Sequence, residues 1–334
     1  MAAFLFVLTN HDNIIPCMFR DLMLREDVQS IPTMLPFSGK MNGLISDGLN
    51  RFSDSVFWQR MTGFVEERFS PLPEDRDFDF LIFTNSTLRG VSTSYLRGYL
   101  NRHPQCIPVL LFLDHSEQYM ARYAMKVLSQ FPSFRCLSFD PKDAIKFGWP
   151  HIMQVYSKLP LEQSEKRSDV YFSFSRKERL PEVKKTAAYL AAHGFSMDLL
   201  FAEPGHFSEE ELGPHIRHSA SRLPYEKILK GVAASDCLLE ILKEGQTGVT
   251  LRYYEAICYN KKLLTTNRLI QELPFYDPRF MQVFQEPSDI DIDWLHDPVP
   301  VDYHYDGRFS PAHIPELLNA SFSAAAACSE TAGS

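Results

Sequence analysis

Residues 236–267 read DCLLEILKEGQTGVTLRYYEAICYNKKLLTTN. The apolar run DCLLEIL is typical of a buried strand, and a polar loop rich in glycine and threonine follows it. Next comes a segment with helical character, and then a second apolar run, KKLLTTN. A strand, a helix and a strand in succession predict one βαβ unit of a parallel sheet. The polar loop would then follow the carboxyl end of the first strand, where ligands bind in such sheets.

The same alternation of strands and helices continues in both directions along the chain. Apolar runs predict strands at residues 3–8, 78–83, 107–113, 134–139, 169–175, 195–201, 236–242 and 261–267. Helical stretches separate them, and the polar run SKLPLEQSEKRS between the two halves is typical of a linker. The pattern predicts an α/β protein with two Rossmann-like, doubly wound parallel-sheet domains that face a cleft. We expect the domains at residues 1–160 and 168–318, and a disordered tail at 319–334.

Composition narrows the classes of function. The 334 residues carry a formal net charge of -8, so a generally basic nucleic-acid-binding surface is not expected. The six cysteines are scattered without a CxxC pair, which predicts reduced thiols and no zinc site. No apolar run approaches the ~20 residues of a membrane-spanning helix, and the first apolar run has no basic segment before it. We expect a cytoplasmic protein.

The loop inside the quoted stretch has the residue types of an anion site. Either Thr247 or Thr250 is suited to cap the following helix, and Gly248 allows a ligand to approach the backbone N–H groups at the helix start. Arg252 can hold a phosphate, and Glu255 can accept hydrogen bonds from both hydroxyls of a ribose. The alternative is a turn followed by an ordinary surface ion pair between residues three apart on a helix.

Three segments resemble the GT-B-type glycosyltransferase-like proteins of bacterial lipopolysaccharide and capsular polysaccharide biosynthesis. The stretch LLEILKEGQTGVTLRYYEAICYNKKLLTTN resembles their GQ-GLT-R--EA segment with the KKLIT-N strand that follows. CLSFDPKDAIKFGW resembles the SFD--DA-KYGL segment that closes their first domain, and FYDPRFMQVF fits the segment after the strand. The resemblance spans about residues 107–284.

This resemblance implies transfer of a sugar from a nucleotide sugar to a bacterial surface glycan or glycolipid precursor. Residues 1–160 would bind the acceptor, and residues 168–318 would bind the nucleotide sugar. Glu255 matches the carboxylate that holds the donor ribose, Arg252 the neighbouring arginine, and Thr247, Gly248 and Thr250 the loop on the phosphate side. The resemblance implies no metal and no cofactor beyond the nucleotide sugar, and the net charge of -8 predicts no nucleic-acid partner. Peripheral contact with the inner membrane stays open.

Two further groups of residues follow predicted strands. Arg176, Lys177 and Arg179 lie in the loop SFSRKERLPEV, where one basic side chain would neutralise a leaving diphosphate; a solvated basic turn is the alternative.

A catalytic base would come from the first domain. The candidates are His11 and Asp12 in LTNHDN and Asp114, with His115 beside it, in LFLDHS. Each aspartate is equally suited to cap a helix.

Two other functions stay compatible with the sequence. A sugar-nucleotide epimerase would keep the fold and need no acceptor, and a non-catalytic scaffold of a polysaccharide assembly complex would keep the fold without turnover. The segment HFSEEELGPHIRHSAS carries His206, His215 and His218 without a carboxylate placed to complete a metal site, and we expect it to be exposed and mobile.

Overall fold

The computed structural model divides the chain into two compact units, Met1–Ser157 with Phe309–Ser334, and Lys158–Arg308. It describes residues 2–8, 14–31, 44, 48, 55–69, 72–88, 91–113, 116–117, 121–161, 165, 167–221, 223–243 and 248–323, with residues 65–69 described by their backbone alone. Each unit contains one sheet in which all neighbouring strands are parallel.

The first unit is built on a five-stranded sheet in the order β2-β1-β3-β4-β5. Its strands are β1 (Phe4–Val7), β2 (Val28–Ile31), β3 (Phe80–Thr84), β4 (Ile107–Phe112) and β5 (Arg135–Ser138). Its helices are α1 (Ile14–Met18), α2 (Arg20–Met23), α3 (Val56–Phe69), α4 (Asn85–Leu88), α5 (Thr93–Arg102), α6 (Arg122–Gln130) and α7 (Pro141–Phe147). The four strands predicted in this half are confirmed. β2 was not predicted, because VQSI is too short and polar to show an apolar run.

The second unit is built on a six-stranded sheet in the order β11-β10-β9-β6-β7-β8. Its strands are β6 (Ser168–Phe174), β7 (Met197–Ala202), β8 (Ile216–Ser219), β9 (Ser235–Glu240), β10 (Lys262–Thr265) and β11 (Met281–Val283). Its helices are α8 (Leu180–Ala192), α9 (Glu209–Leu212), α10 (Tyr225–Ala233), α11 (Leu251–Cys258) and α12 (Ile292–His296). Counted from its first strand, the order is 6-5-4-1-2-3, which is that of a Rossmann fold.

The two units therefore confirm the predicted pair of Rossmann-like, parallel-sheet α/β domains. In the second sheet the direction of strand order reverses between β6 and β9, and the carboxyl edge of a sheet at such a reversal is where ligands bind in this class of fold. Most residues of β6 and β9 are buried, as expected for central strands covered on both faces.

The segment that carries the three histidines contains more secondary structure than the sequence predicts. It contains α9, whose start has a capping box between Ser208 and Glu211, and it continues into β8. His218 lies in β8, where its ring packs against Phe207 and Phe201. Most of the segment's residues are exposed, as the sequence predicts. β8 was not predicted because three of the four residues of this edge strand are polar, which gives too weak an apolar pattern to recognise.

The chain returns to the first unit from Phe309 onward, whereas the sequence pattern predicts a second domain that extends to residue 318. The Phe309 carbonyl accepts a hydrogen bond from the Tyr156 amide at 2.7 Å, and the Ser310 hydroxyl donates to Asp21 at 2.7 Å. Arg25 donates to the carbonyl of Ala312 at 2.6 Å. These bonds join residues far apart in sequence, which is why composition alone did not reveal them.

Two further helical segments follow. They are α13 (Ile314–Leu318) and a single π-helical turn, Asn319–Ser323. The first part of the predicted tail is therefore helical, and residues 324–334 lie outside the described part of the chain.

Close packing of α10 on β6 depends on one glycine. A Cβ atom at Gly231 would lie 2.2 Å from Cε2 and 2.3 Å from Cζ of Tyr171. The Tyr171 ring is buried, and its burial raises the pKa of the phenol to about 12. Because the ring has little room to move, a side chain at position 231 would force the helix away from the strand.

We expect Gly231→Ala to destabilise the second unit by about 1–3 kcal/mol through this clash, measured by urea unfolding. Gly98→Ala is the matched control, since Gly98 also lies in a helix but its Cβ would meet only the flexible end of Arg102 at 3.4 Å. The control should be neutral or stabilising by roughly 0.5–1 kcal/mol, the usual gain of alanine over glycine in a helix. Equal stability of the two variants would contradict the packing described.

Candidate functional site

A buried carboxylate lies at the carboxyl end of β9, beside the reversal of strand order. Glu240 is the last residue of β9 and is 2% exposed. Its Oε1 accepts a hydrogen bond from the hydroxyl of Thr250, and its Oε2 accepts one from the hydroxyl of Thr265. Burial raises the pKa of the Glu240 carboxyl, and the two hydroxyls oppose that rise. In the sequence pattern Glu240 is only one residue of a predicted strand, although a carboxylate within an apolar run was a usable signal.

The described part of the glycine- and threonine-rich loop is tied to this edge. Thr250 is the N-cap of α11, since its hydroxyl accepts the Arg252 amide at 3.2 Å. Asn267 Nδ2 donates to the Gly248 carbonyl at 3.2 Å, and a Cβ at Gly248 would meet nothing within 4 Å. The loop therefore has an open face at Gly248 and a fixed helix start at Thr250, and of the two predicted caps the structure assigns Thr250.

Arg252 and Glu255 form the predicted pair, but the pair is buried. Arg252 Nη1 donates to Glu255 Oε2, and the hydroxyl of Tyr225 donates to Oε1 at 2.6 Å. Glu255 has no exposed surface, and the Arg252 guanidinium lies 5.8 Å from the centre of the Tyr171 ring. Burial raises the pKa of Glu255, and the Arg252 guanidinium opposes the rise. The alternative of a surface ion pair worth a few tenths of a kcal/mol is therefore wrong.

Both oxygens of Glu255 are engaged within the protein. Each oxygen can still accept a further hydrogen bond, but Glu255 has no exposed surface, so a ribose can reach the carboxylate only if a neighbouring side chain moves. Truncation of Glu255 would leave the Arg252 charge buried without this partner, a change that typically costs about 3–5 kcal/mol. The role of Glu255 as a ribose ligand stays a prediction, and it carries a stability cost that the sequence did not show.

The three basic residues after β6 differ in exposure. Arg176 and Lys177 are exposed, whereas Arg179 is half-buried. Burial lowers the pKa of the Arg179 guanidinium, and Glu240 opposes that change. Arg176 has a left-handed backbone with φ of 80°, and its amide donates to a carboxylate oxygen of Glu203 at 2.7 Å. An arginine adopts this backbone only where its surroundings impose it.

The structure thus groups four of the predicted residues near Glu240, while others lie outside the described residues. Arg179 and Arg252 act on the Glu240 carboxyl electrostatically, and Thr250 bonds to it directly. Gly248 joins through Asn267 and Thr265, because the Asn267 amide donates to the Thr265 hydroxyl at 2.9 Å. The predicted residues outside the described part are His11, Asp12, Asp114 and Thr247.

Other features of the described residues lie apart from this site. A cavity of about 510 Å³ is lined by residues 158–161, Ala233 and 258–261, which precede β9 and β10 and so lie toward the opposite edge of the sheet. In the described ranges, no group of three or more His, Cys, Asp or Glu side chains is arranged to hold a metal ion. None of the described helices combines the length and apolar character needed to cross a membrane.

Comparison with known proteins identifies the fold. No protein-family model and no curated protein sequence matches the chain. Among solved structures, α,α-trehalose 6-phosphate synthase from Burkholderia multivorans has a TM-score of 0.55 and 10% identity, over 100% of this chain and 99% of that one. A UDP-N-acetylglucosamine 2-epimerase has a TM-score of 0.52 and 10% identity, over 95% of this chain and 96% of that one. The fold is that of the GT-B class, and the lipopolysaccharide or capsule family stays a prediction.

Replacing Glu240 with glutamine should change how stability depends on pH. Below the ordinary carboxyl pKa of 4.5, the group is protonated in both states of the wild-type chain. As the pH rises above that value, the unfolded chain loses this proton first, so ionisation favours unfolding of the wild type. We expect the free energy of unfolding of Glu240→Gln to rise relative to wild type between about pH 4 and about pH 7.

The control is Glu272→Gln, which makes the same change at an exposed carboxylate. Urea titrations at several pH values measure both differences. A difference for Glu240→Gln that falls over this range would show that the folded protein lowers the pKa of this carboxyl instead of raising it.

Proposed function

We propose that the protein is a metal-independent glycosyltransferase that uses a nucleotide sugar, with the second unit as the donor-binding unit. The acceptor in this proposal is a bacterial surface glycan or glycolipid precursor, such as one of lipopolysaccharide or capsule synthesis. No cofactor is required beyond the donor itself. The GT-B fold, the resemblance of residues 107–284 and the chemistry of the candidate site support the proposal together.

The observation that carries the proposal is the arrangement at the reversal of strand order. An open glycine, the cap of α11 and the buried guanidinium of Arg252 follow β9, and a basic turn follows β6, the neighbouring strand. A diphosphate needs several N–H donors and positive charge from more than one direction. Two adjacent strand ends supply both kinds of group at one edge of a single sheet.

The basic residues would serve the chemical step as well as binding. When the sugar leaves its nucleotide, negative charge builds up on the diphosphate, and fixed positive groups stabilise that charge. Arg176 and Lys177 are exposed and able to reach a ligand, while Arg179 and Arg252 are held nearer the sheet. Proton removal from the acceptor is assigned in this proposal to His11, Asp12 or Asp114 of the first unit.

A second candidate function is epimerisation of the sugar nucleotide. The likeness to a solved UDP-N-acetylglucosamine 2-epimerase along almost the whole of both chains favours it. An epimerase would bind the same donor and need no acceptor. Incubation of the protein with a nucleotide sugar alone distinguishes the two functions, because an isomerised sugar nucleotide would appear only with an epimerase. A non-catalytic scaffold would convert no donor, with or without an acceptor.

We expect a nucleoside diphosphate among UDP, GDP, dTDP and CDP to raise the melting temperature, since a ligand that binds only the folded chain stabilises it. The double substitution Arg176→Ala with Lys177→Ala should then weaken the binding of that diphosphate roughly tenfold, because charge-assisted hydrogen bonds are lost. Binding of the corresponding nucleoside, measured by calorimetry, should stay unchanged.

The control for this experiment is Lys185→Ala on α8. Lys185 is an exposed lysine of the same unit, and its partner is Glu182 at 2.9 Å. It lies on the helix and away from the strand ends, so its loss should leave diphosphate binding unaltered. A chain that none of the diphosphates stabilises would contradict the proposed function.

The proposed role of Glu255 predicts discrimination between ribose and deoxyribose. We expect the wild-type chain to bind a ribonucleoside diphosphate that stabilises it roughly tenfold more tightly than the 2′-deoxy form of the same diphosphate, as one charge-assisted hydrogen bond would give. Glu255→Gln keeps the size of the side chain and removes its charge, so it should reduce this ratio toward one. Calorimetry on both ligands measures it, and a ratio that the substitution leaves intact would remove Glu255 from the ribose site.

A further inference from the structure

We propose that Glu240 is a positioning residue of the donor site: through the hydroxyls of Thr250 and Thr265 it fixes the start of α11 before a diphosphate binds. This inference rests on the proposed function for its ligand, and on the geometry of the described residues for its mechanism. Glu240 would not touch the donor, because it is only 2% exposed and its two oxygens accept from the hydroxyls within the protein.

The position of Glu240 is unfavourable for stability alone. The two preceding residues of β9, Leu238 and Leu239, are fully buried and apolar, and an apolar side chain at position 240 would continue that pattern. Burying a carboxylate costs free energy. Replacing buried, hydrogen-bonded charged groups by apolar side chains of similar volume is often neutral or stabilising. A carboxylate at the reversal of strand order therefore points to a function in the site that this edge carries.

The Thr250 hydroxyl links Glu240 to the first turn of α11. It donates to the carboxylate and accepts the Arg252 amide at 3.2 Å. A hydroxyl has one proton to donate, so the carboxylate orients that proton and leaves the lone pairs toward the helix. Without the carboxylate the hydroxyl would be free to rotate, and the cap that holds the Arg252 backbone would weaken.

The Thr265 hydroxyl links Glu240 to the glycine of the loop. It donates to the carboxylate and accepts the Asn267 amide, while the Asn267 side chain donates to the Gly248 carbonyl. Glu240 thus holds two points of one loop, Gly248 and Thr250, which are separated only by Val249. A loop held at both points presents its N–H groups without further ordering when an anion binds, and this lowers the entropic cost of binding.

The first test measures the loop without any ligand. Hydrogen exchange of the peptide that covers residues 248–253 should be roughly tenfold faster in Glu240→Gln than in wild type, as expected for the loss of one hydrogen bond to a charged group. Peptides from β6 should keep their wild-type rates. Glu272→Gln is the matched control, and its exchange should equal that of wild type throughout. Unchanged exchange of residues 248–253 in Glu240→Gln would overturn the inference.

A double-mutant cycle tests whether Glu240 acts through Thr250. Thr250→Val removes the hydroxyl and keeps the shape, so it should reproduce part of the faster exchange. Adding Glu240→Gln should then accelerate residues 248–253 by less than it does in the wild-type chain, because only the link through Thr265 remains to be lost. Thr250→Ser keeps the hydroxyl and should restore wild-type exchange. Fully additive effects of the two substitutions would contradict the proposed link. If Glu240→Gln does not fold, Thr265→Val gives the same test from the other hydroxyl.

Binding measurements complete the test with inorganic pyrophosphate and the diphosphate that stabilises the wild-type chain. Glu240→Gln should weaken the binding of both ligands roughly tenfold and leave the affinity for the nucleoside unchanged. Faster loop exchange with unaltered diphosphate affinity would overturn the role of Glu240 in the donor site. If the wild-type chain binds none of these ligands, the proposed function fails, and the exchange experiment still decides whether Glu240 orders the loop.

Discussion

A buried carboxylate at the carboxyl end of β9 is the constraint on which the candidate site depends. Glu240 has to be satisfied where it is, because an unpaired buried carboxylate is costly. The hydroxyls that satisfy it belong to the start of α11 and the end of β10. The hydrogen bonds of this one carboxylate thus connect β9, the start of α11 and the end of β10 at the edge where the strand order reverses. The geometry of the loop follows from that connection and does not depend on the loop's own sequence alone.

The neighbouring buried charges, Arg252 and Glu255, also need hydrogen-bonding partners. In the structure each is satisfied by the other, with Tyr225 completing the bonds to the carboxylate. A nucleotide would offer both of them a replacement at once, since its phosphate can accept from the arginine while its ribose hydroxyls donate to the carboxylate. After such an exchange, neither buried charge would be left without a partner. A nucleoside without phosphate would offer only half of it.

Periodicity in the sequence was enough for the central strands and for the class of fold. Runs such as AFLFVL and DCLLEIL are buried on both faces, so their apolar character shows without any alignment. Edge strands such as β2 and β8 are short and partly polar, and they become strands only by pairing with a neighbour. The return of the chain to the first unit at Phe309 rests on bonds to Tyr156 and Asp21, which no local pattern reveals.

The sequence predicted which residues form the candidate site better than it predicted their burial and orientation. The sequence named the loop and Glu255, but every residue of α11 after Leu251 is buried, so no amphipathic pattern could show which way Glu255 points. Glu240 was missed because it stands within a strand.

Topology also ranks the candidate bases of the first unit. Its strand order reverses between β1 and β3, and His11 and Asp12 follow β1 in sequence, whereas Asp114 follows β4, one strand farther from the reversal. Ligands bind at reversals of this kind, so the proposed transfer, if it uses a base from this unit, would favour His11 and Asp12 over Asp114.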